Sequence, residues 1–186
     1  MNKRLFVDYD GTLVSSIDAV CFVYNELYCG HADFIPADPE LCTTWNMKEV
    51  VPLCSDINEL FGHHLFFEFA KPLDEYTIPV LEKLSKHYEL IVCSIGVPAN
   101  ISKKAKYIAK HFPMIHQSVL LMQNNCKMDK SIVRMGSDSI FIDDVVANLD
   151  SSDAGFKICI GKEYQWNRNA QYVRCKTWKD IGNILL

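Results

Sequence analysis

The stretch LFVDYDGTLV, residues 5–14, places Asp8 and Asp10 one residue apart, directly after a short apolar run. A continuous apolar run of this length predicts a strand that is buried on both faces of a parallel sheet. Carboxylates at the tip of a buried strand carry a desolvation cost. A function that needs both acids is therefore expected at this point of the chain.

A second stretch has the same design. In DSIFIDDVVANLD, residues 138–150, an apolar run again ends in two acids, Asp143 and Asp144. Ligands of open parallel sheets bind beyond the carboxyl ends of the strands, where the strand order switches direction. If the two strands are neighbours, all four carboxylates converge on one crevice.

Further apolar runs predict more strands, and helical patterns lie between them. In residues 100–112, Asn100 is predicted to cap a helix whose lysines (103, 104, 106 and 110) form a solvated face, with phosphate steering as the alternative. Other helices are predicted in residues 77–88 and at the C-terminus, where Trp178, Ile181 and Leu185 pack on the core. The alternation indicates an α/β fold with a Rossmann-like doubly wound parallel sheet. The predicted strands are Leu5–Asp8, Glu89–Ser94, Ser118–Met122, Ser139–Asp143 and Phe156–Ile160.

The chain departs from this alternation once, between the first and second strands. The connection is far longer than one crossover helix requires. It is rich in Phe, Tyr, Leu and His. Residues 15–71 are therefore predicted to be a small helical cap inserted after the first strand, and residues 1–14 and 72–186 the catalytic core.

The bulk composition excludes several classes of partner. A net charge of −4 and a pI of about 5.8 provide no basic surface for a nucleic-acid polymer or an anionic membrane. No stretch has the ~20 apolar residues of a membrane span or the pattern of a signal peptide, so a cytoplasmic location is predicted. The eight cysteines include no C-x-x-C pair, and free thiols are favoured over a disulfide framework.

A crevice with this many acids predicts a bound metal ion. Three or four adjacent carboxylates would repel one another and raise their own pKa values. A divalent cation removes the repulsion, and a set of oxygen ligands completed by water favours Mg²⁺ over zinc or calcium. The candidate ligands are Asp8, Asp10, Asp143 and Asp144.

The D-x-D spacing indicates a further role in catalysis. Alternate side chains of an extended strand point the same way, so Asp8 and Asp10 can face one reacting atom. One carboxylate can attack a phosphoryl group while the other gives a proton to the leaving oxygen and later activates water. Gly11 permits a tight turn and leaves its N–H free to approach phosphate oxygens.

These motifs together resemble the haloacid dehalogenase-like (HAD) superfamily. The first motif, D-x-D-G-T/V with a following apolar residue, is intact as DYDGTL, residues 8–13. The Ser or Thr of the second motif matches Ser94, and the lysine of the third matches Lys130, with Lys127 as a weaker candidate. The acid pair of the fourth motif matches residues 143–144.

Within that superfamily the chain is similar to the 5′(3′)-deoxyribonucleotidase group. The similarity lies in HHLFFEFAKPLDEYTIPVLEKL (residues 63–84), CKMDKSIV (residues 126–133) and TWKDI (residues 177–181). TTWNM, residues 43–47, lies where that group carries cap aromatics around the nucleobase, and it makes Trp45 a candidate for base stacking.

The resemblance implies a role for each matched residue. Asp8 would be the nucleophile that forms an aspartyl-phosphate, and Asp10 the general acid/base. The metal would be held by the Asp8 carboxylate, the Asp10 carbonyl and Asp144, with Asp143 orienting Lys130 or a metal-bound water. The implied substrate-binding residues are Gly11, Thr12, Trp45, Ser94 and Lys130.

The sequence therefore predicts a Mg²⁺-dependent phosphatase of (deoxy)ribonucleoside 5′-monophosphates. Two alternatives stay open: a phosphatase of a sugar phosphate or another small phosphomonoester, and a catalytically inactive phosphate-binding protein on the same fold. The expected partner is a small-molecule phosphomonoester. The sequence leaves open whether the chain forms a homodimer.

Overall fold

The computed structural model describes residues 3–123 and 129–186. Over these residues, six parallel strands form one sheet in the order β3-β2-β1-β4-β5-β6. The order reverses direction at β1, which confirms the predicted doubly wound α/β fold. The strands are β1 (Lys3–Val7), β2 (Tyr88–Gly96), β3 (Gln117–Met122), β4 (Ile140–Asp143), β5 (Phe156–Ile160) and β6 (Val173–Cys175).

The pairing of β1 with β4 decides where the site forms. Leu5 pairs with Ile140 and Val7 with Ile142, in parallel register. The N–H of Asp8 continues this ladder and donates to the carbonyl of Ile142 at 2.9 Å. The two acidic strand ends therefore lie side by side at the topological switch point of the sheet.

Helices cover both faces of the sheet, and two of them differ from the prediction. They are α1 (Ser16–Tyr28), α2 (Ile57–Gly62), α3 (His64–Phe69), α4 (Thr77–Leu84), α5 (Pro98–His111), α6 (Val146–Ser151) and α7 (Trp178–Leu185), with short 3₁₀ helices at Pro39–Leu41 and Lys130–Ile132. Helix α4 ends at Leu84, and Tyr88, expected on that helix, opens β2. Helix α5 begins at Pro98, a residue that is well tolerated in the first turn of a helix. Asn100 therefore lies inside the helix and is not the N-cap that the sequence predicts.

The segment that the sequence assigns to the cap holds α1, α2 and α3. Its buried side chains, such as Val51 and Phe66, belong to the same hydrophobic cluster as Leu5 and Val7 of β1. Polar contacts from α5 add to this packing, because Asn100, Lys103 and Tyr107 donate to the backbone carbonyls of Phe61 (2.8 Å), Gly62 (2.6 Å) and Ala70 (2.7 Å).

The described cysteines are all free thiols, and most of them are buried. Cys93 in β2 and Cys159 in β5 pack in the core as small hydrophobic side chains. Cys126 and Lys127 lie outside the described residues. Across the described ranges, the structure contains no helix with the length and apolar character needed to cross a membrane.

Candidate active site

Three carboxylates meet where β1 and β4 end. Asp8 follows β1, Asp143 is the last residue of β4, and Asp144 comes next. Each can place one carboxylate oxygen within 4.8 Å of the others, and all three residues are buried. This is the convergence that the two acidic strand ends predict.

Lys130 joins two members of this cluster. Its Nζ atom donates to Asp8 Oδ1 at 2.7 Å and to Asp143 Oδ2 at 2.5 Å, and the side chain is enclosed. Burial by itself would lower the pKa of Lys130, but the charges of Asp143 and Asp8 outweigh it and the net shift is upward. Lys130 is therefore held as a cation against the predicted nucleophile.

Asp143 has its bonding capacity taken up by the protein. Oδ1 accepts from the N–H of Val145 at 2.8 Å, and both oxygens lie within 3.2 Å of the Asn148 amide nitrogen. With Lys130 on Oδ2, this carboxylate is oriented from several sides. Its geometry fits a residue that anchors Lys130 better than it fits a direct metal ligand.

Within residues 3–123 and 129–186, Asp144 has one bonded oxygen and one without a partner. Oδ2 accepts from the indole N–H of Trp166 at 3.0 Å. Oδ1 is buried and has no hydrogen-bond partner among the described residues. The backbone of Gly11 packs against this carboxylate so closely that an added Cβ would lie 2.5 Å from Oδ2, and Gly11 has φ +67°, where a side chain is strained. A buried, unpaired carboxylate oxygen next to two other acids is the donor that a cation site requires.

Asp10 is bonded to a second lysine of the site, which the sequence analysis did not predict. Lys104 Nζ donates to Asp10 Oδ2 at 2.6 Å, to Ser94 Oγ at 3.1 Å and to the carbonyl of Ile95 at 3.3 Å. The hydroxyl of Ser16 donates to Asp10 Oδ1 at 2.7 Å. Both oxygens of Asp10 are therefore held, and Ser94 shares the lysine with Asp10. The sequence analysis identified neither Lys104 nor Ser16 as a site residue.

The prediction of a solvated lysine face on α5 is wrong for Lys104, which is fully buried. The buried stripe of the helix runs through Asn100, Lys104, Tyr107 and Ile108. Lys104 lies four residues before Ile108, on the same face of the helix. That spacing is the signal in the sequence that could have identified it.

The charges of the assembled site do not balance without a cation. With all four carboxylates ionised, the two lysines would leave two negative charges. Burial raises the pKa of Asp144 well above its usual value, and the charges of Asp143 and Asp8 add to this shift. A divalent cation on the unpaired oxygen would remove that penalty, and oxygen donors from Asp8, Asp144 and the Asp10 backbone are the type of ligand that Mg²⁺ prefers.

A cavity of about 270 Å³ opens from this cluster towards the predicted cap. Asp10, Gly11 and Asp144 line one part of it, and Trp45 and Phe61 line another. Asp8 is not among the lining residues. The Thr12 side chain is fully enclosed, and its backbone carbonyl accepts from the Trp178 indole at 2.8 Å.

The aromatic side chains at the cavity come from both predicted parts of the chain. The ring of Trp45 lies nearly parallel to that of Phe61, with centroids 6.1 Å apart, and edge-on to Trp166 at 5.5 Å. Trp166 stacks on Tyr164 at 4.2 Å. Trp45 is 49% exposed, whereas Phe66 is buried among cap side chains. Trp45 is therefore available to a flat ligand, and Phe66 is part of the core.

Comparisons with known proteins agree with this geometry. The profile of a family described as "5′ nucleotidase, deoxy (Pyrimidine), cytosolic type C protein" matches residues 2–186. None of the curated protein sequences that were compared matches the chain significantly.

Several solved structures with a similar fold are described as HAD hydrolases, and their sequence identity to this chain is low. A HAD-like hydrolase from Streptococcus pneumoniae has a TM-score of 0.61 at 16% identity over 98% of both chains. A subfamily IA HAD hydrolase from Geobacter sulfurreducens has a TM-score of 0.66 at 13% identity over 100% of this chain and 97% of the other. A magnesium-bound protein from Bacillus subtilis, assigned to the HAD hydrolases, has a TM-score of 0.63 at 10% identity over 100% and 99%. The fold is therefore HAD-like.

Proposed function

Since this chain belongs to the family of cytosolic type C 5′(deoxy)nucleotidases, we propose that it hydrolyses (deoxy)ribonucleoside 5′-monophosphates. Its superfamily is that of the HAD phosphatases. The observation that carries the proposal is the assembly of Asp8, Asp10 and two buried lysines beside a cavity that reaches a half-exposed tryptophan. This arrangement supports phosphate chemistry next to a flat, apolar contact surface.

The chain's own residues supply a two-step phosphoryl transfer. Asp8 attacks phosphorus, so that an aspartyl-phosphate bond forms as the ester P–O bond breaks, and Asp10 gives its proton to the leaving alcohol. Asp10 then takes a proton from the water that hydrolyses the aspartyl-phosphate, which regenerates both acids. Phosphoryl transfer depends mainly on positioning and charge neutralisation, and Lys130, Lys104 and Ser94 provide these at fixed positions.

Mg²⁺ belongs to the same proposal. The Asp8 carboxylate, the Asp10 carbonyl and Asp144 Oδ1 would hold the ion, which when bound supplies positive charge next to the transferring phosphoryl group. Asp143 has a supporting role, because its Oδ2 already accepts from Lys130 and its Oδ1 from the N–H of Val145.

The aromatic part of the cavity supports a nucleoside as the leaving group. A base stacked on an aromatic side chain gains roughly 1–3 kcal/mol, and Trp45 offers such a face. Asn46 and Thr44 flank Trp45 with polar groups, and Thr44 and the neighbouring Thr43 hydrogen-bond Glu49, so the loop that presents the ring is anchored.

The direct test is phosphate release from a panel of nucleoside monophosphates and sugar phosphates, with and without Mg²⁺. We expect Mg²⁺-dependent turnover of nucleotides that Asp8→Asn abolishes without loss of folding. Asp33→Asn, a change at an exposed acid in the predicted cap, is the matched control and should leave turnover unchanged. Turnover that survives Asp8→Asn would contradict the covalent mechanism.

A sugar phosphate or another small phosphomonoester is the second candidate substrate, because the phosphate-handling residues would be the same. Trp45→Ala separates the two candidates. For a nucleotide substrate it should raise KM with little change in kcat, since the stacked base is remote from the reacting bond. Equal rates on sugar phosphates and nucleotides, indifferent to Trp45, would favour the second candidate. An inactive phosphate-binding protein has no need for both Asp8 and Asp10, and any turnover excludes it.

The matching family is described as cytosolic, which supports a cytosolic location for this activity.

A further inference from the structure

The loop after β5 contributes one side chain to the acidic cluster, Trp166. From its contact with Asp144 we propose that Trp166 is a positioning residue that holds this carboxylate for one-oxygen coordination and so selects Mg²⁺ over Ca²⁺. The proposal rests on the cation site of the proposed function, but it does not depend on which phosphomonoester is hydrolysed.

The two oxygens of Asp144 have different surroundings. The Trp166 indole N–H occupies Oδ2 at 3.0 Å, and Oδ1 is buried without a partner among the described residues. Gly11 packs against the carboxylate, and the position of a Cβ there would be 2.5 Å from Oδ2 and 3.1 Å from Oδ1. The carboxylate thus occupies the space that a side chain at residue 11 would fill, and its rotation would break the indole hydrogen bond.

Trp166 itself is held firmly enough to fix another group. Its ring stacks on Tyr164 with an interplanar angle of 7°. Its backbone carbonyl accepts from the N–H of Val146 at 3.3 Å, two residues after Asp144. The buried Asn167 ties the loop together, because it accepts from the Tyr164 N–H at 2.8 Å and donates to the Lys162 carbonyl at 3.0 Å. The indole N–H is thus presented by a loop with its own internal hydrogen bonds.

The two cations differ in what they require of a carboxylate. Mg²⁺ demands near-octahedral geometry at about 2.0–2.1 Å and usually takes one oxygen of each carboxylate, whereas Ca²⁺ accepts bidentate carboxylates at about 2.3–2.6 Å in flexible geometry. An N–H bonded to Oδ2 leaves Oδ1 free for one-oxygen coordination and opposes bidentate binding. Removal of the N–H should therefore weaken Mg²⁺ binding and spare Ca²⁺ binding.

The test compares cation affinities of the whole, substrate-free protein, measured from the rise of the unfolding temperature with MgCl₂ or CaCl₂ at constant ionic strength. Trp166→Phe keeps a ring on Tyr164 and removes the N–H. We expect its Mg²⁺ affinity to fall about tenfold, the lower end of the effect of losing a ligand's hydrogen-bond partner, with Ca²⁺ affinity changed far less. The Mg²⁺/Ca²⁺ affinity ratio should fall accordingly.

Three further variants make the result decisive. Trp166→His offers a ring N–H again and should recover part of the ratio, and Tyr164→Phe keeps both the stacking and the indole and should keep the wild-type ratio. Asp144→Asn should weaken both cations. An unchanged Mg²⁺/Ca²⁺ affinity ratio in Trp166→Phe would overturn the proposal, and if both affinities fell equally the role of Trp166 would be merely structural. Cation affinities that do not change in Asp144→Asn would also overturn it. Because no substrate is present, failure of nucleotide hydrolysis would leave this result standing, and the converse also holds.

Discussion

Replacement of Lys104 by methionine tests the lysine that the sequence analysis missed. Methionine keeps an unbranched chain of similar length and removes the ammonium group. Three acceptors lose their donor: Asp10 Oδ2, Ser94 Oγ and the Ile95 carbonyl. Of the donors in the described part of the chain, the Asp10 carboxylate, with 13% of its side chain exposed, then keeps only the hydroxyl of Ser16.

The structure sets the expected size of the effect. Removal of one partner of a buried ion pair costs about 3–5 kcal/mol, and the partial exposure of Asp10 and its bond from Ser16 favour the lower end. A loss of about 3 kcal/mol lowers the unfolding temperature of a chain of this size by roughly 6–12 °C. If Lys104 also stabilises charge on the transferring phosphoryl group, kcat should fall about 10²–10³-fold.

The assay measures unfolding temperature and phosphate release for this variant and for Lys106→Met, a matched control at an exposed lysine on the same helix. The control should change neither quantity. A stability cycle with Asp10→Asn separates the ion pair from packing, since loss of Lys104 should cost much less once Asp10 is neutral. Wild-type stability and turnover in Lys104→Met would refute the reasoning, and so would an equal effect of Lys106→Met.

The remaining predictions concern the cation site and the Trp45 loop. Gly11→Ala should abolish Mg²⁺ binding and turnover in a folded protein, because the new methyl group would overlap Asp144 Oδ2. Calorimetric titration with Mg²⁺ measures the binding, and unimpaired binding would contradict the prediction. In metal-free protein, burial raises the pKa of Asp144, so the folded state retains a proton that the unfolded state has released, and the free energy of unfolding should fall as pH rises from about 4 through the raised folded pKa. Denaturant unfolding over that range should show a larger fall in the wild type than in Asp144→Asn, where burial still raises the pKa of Asp143 to about 6. Mg²⁺ should stabilise the wild type more above the folded pKa of Asp144 than below it. Burial would raise the pKa of Glu49, but hydrogen bonds from Thr44 and Thr43 lower it to about 2. Glu49→Gln should therefore loosen the loop that carries Trp45 and raise KM for nucleotides, with kcat unchanged. An unchanged KM would show that the loop is held in some other way.

The sequence alone determined the fold and the acidic centre, because both depend on local patterns. Apolar runs of strand length predict β1 and β4, and two acids lie at the end of each run. The acidic centre then requires only that β1 and β4 be neighbours in the sheet. β6 was not predicted, since Val173–Cys175 is short and two of its three residues are exposed, which leaves no apolar run.

Only the tertiary structure decided which side chains complete the site, because these contacts join distant parts of the chain. Lys104 reaches Asp10 across 94 residues, and Trp166 reaches Asp144 across 22. The spacing of Lys104 before Ile108 indicates the buried face of α5, but neither that spacing nor a tryptophan in a loop indicates which distant carboxylate the side chain contacts. Their roles follow from the environment that folding creates, in which a buried charge must find an opposite charge and a buried carboxylate oxygen must find a donor or a cation.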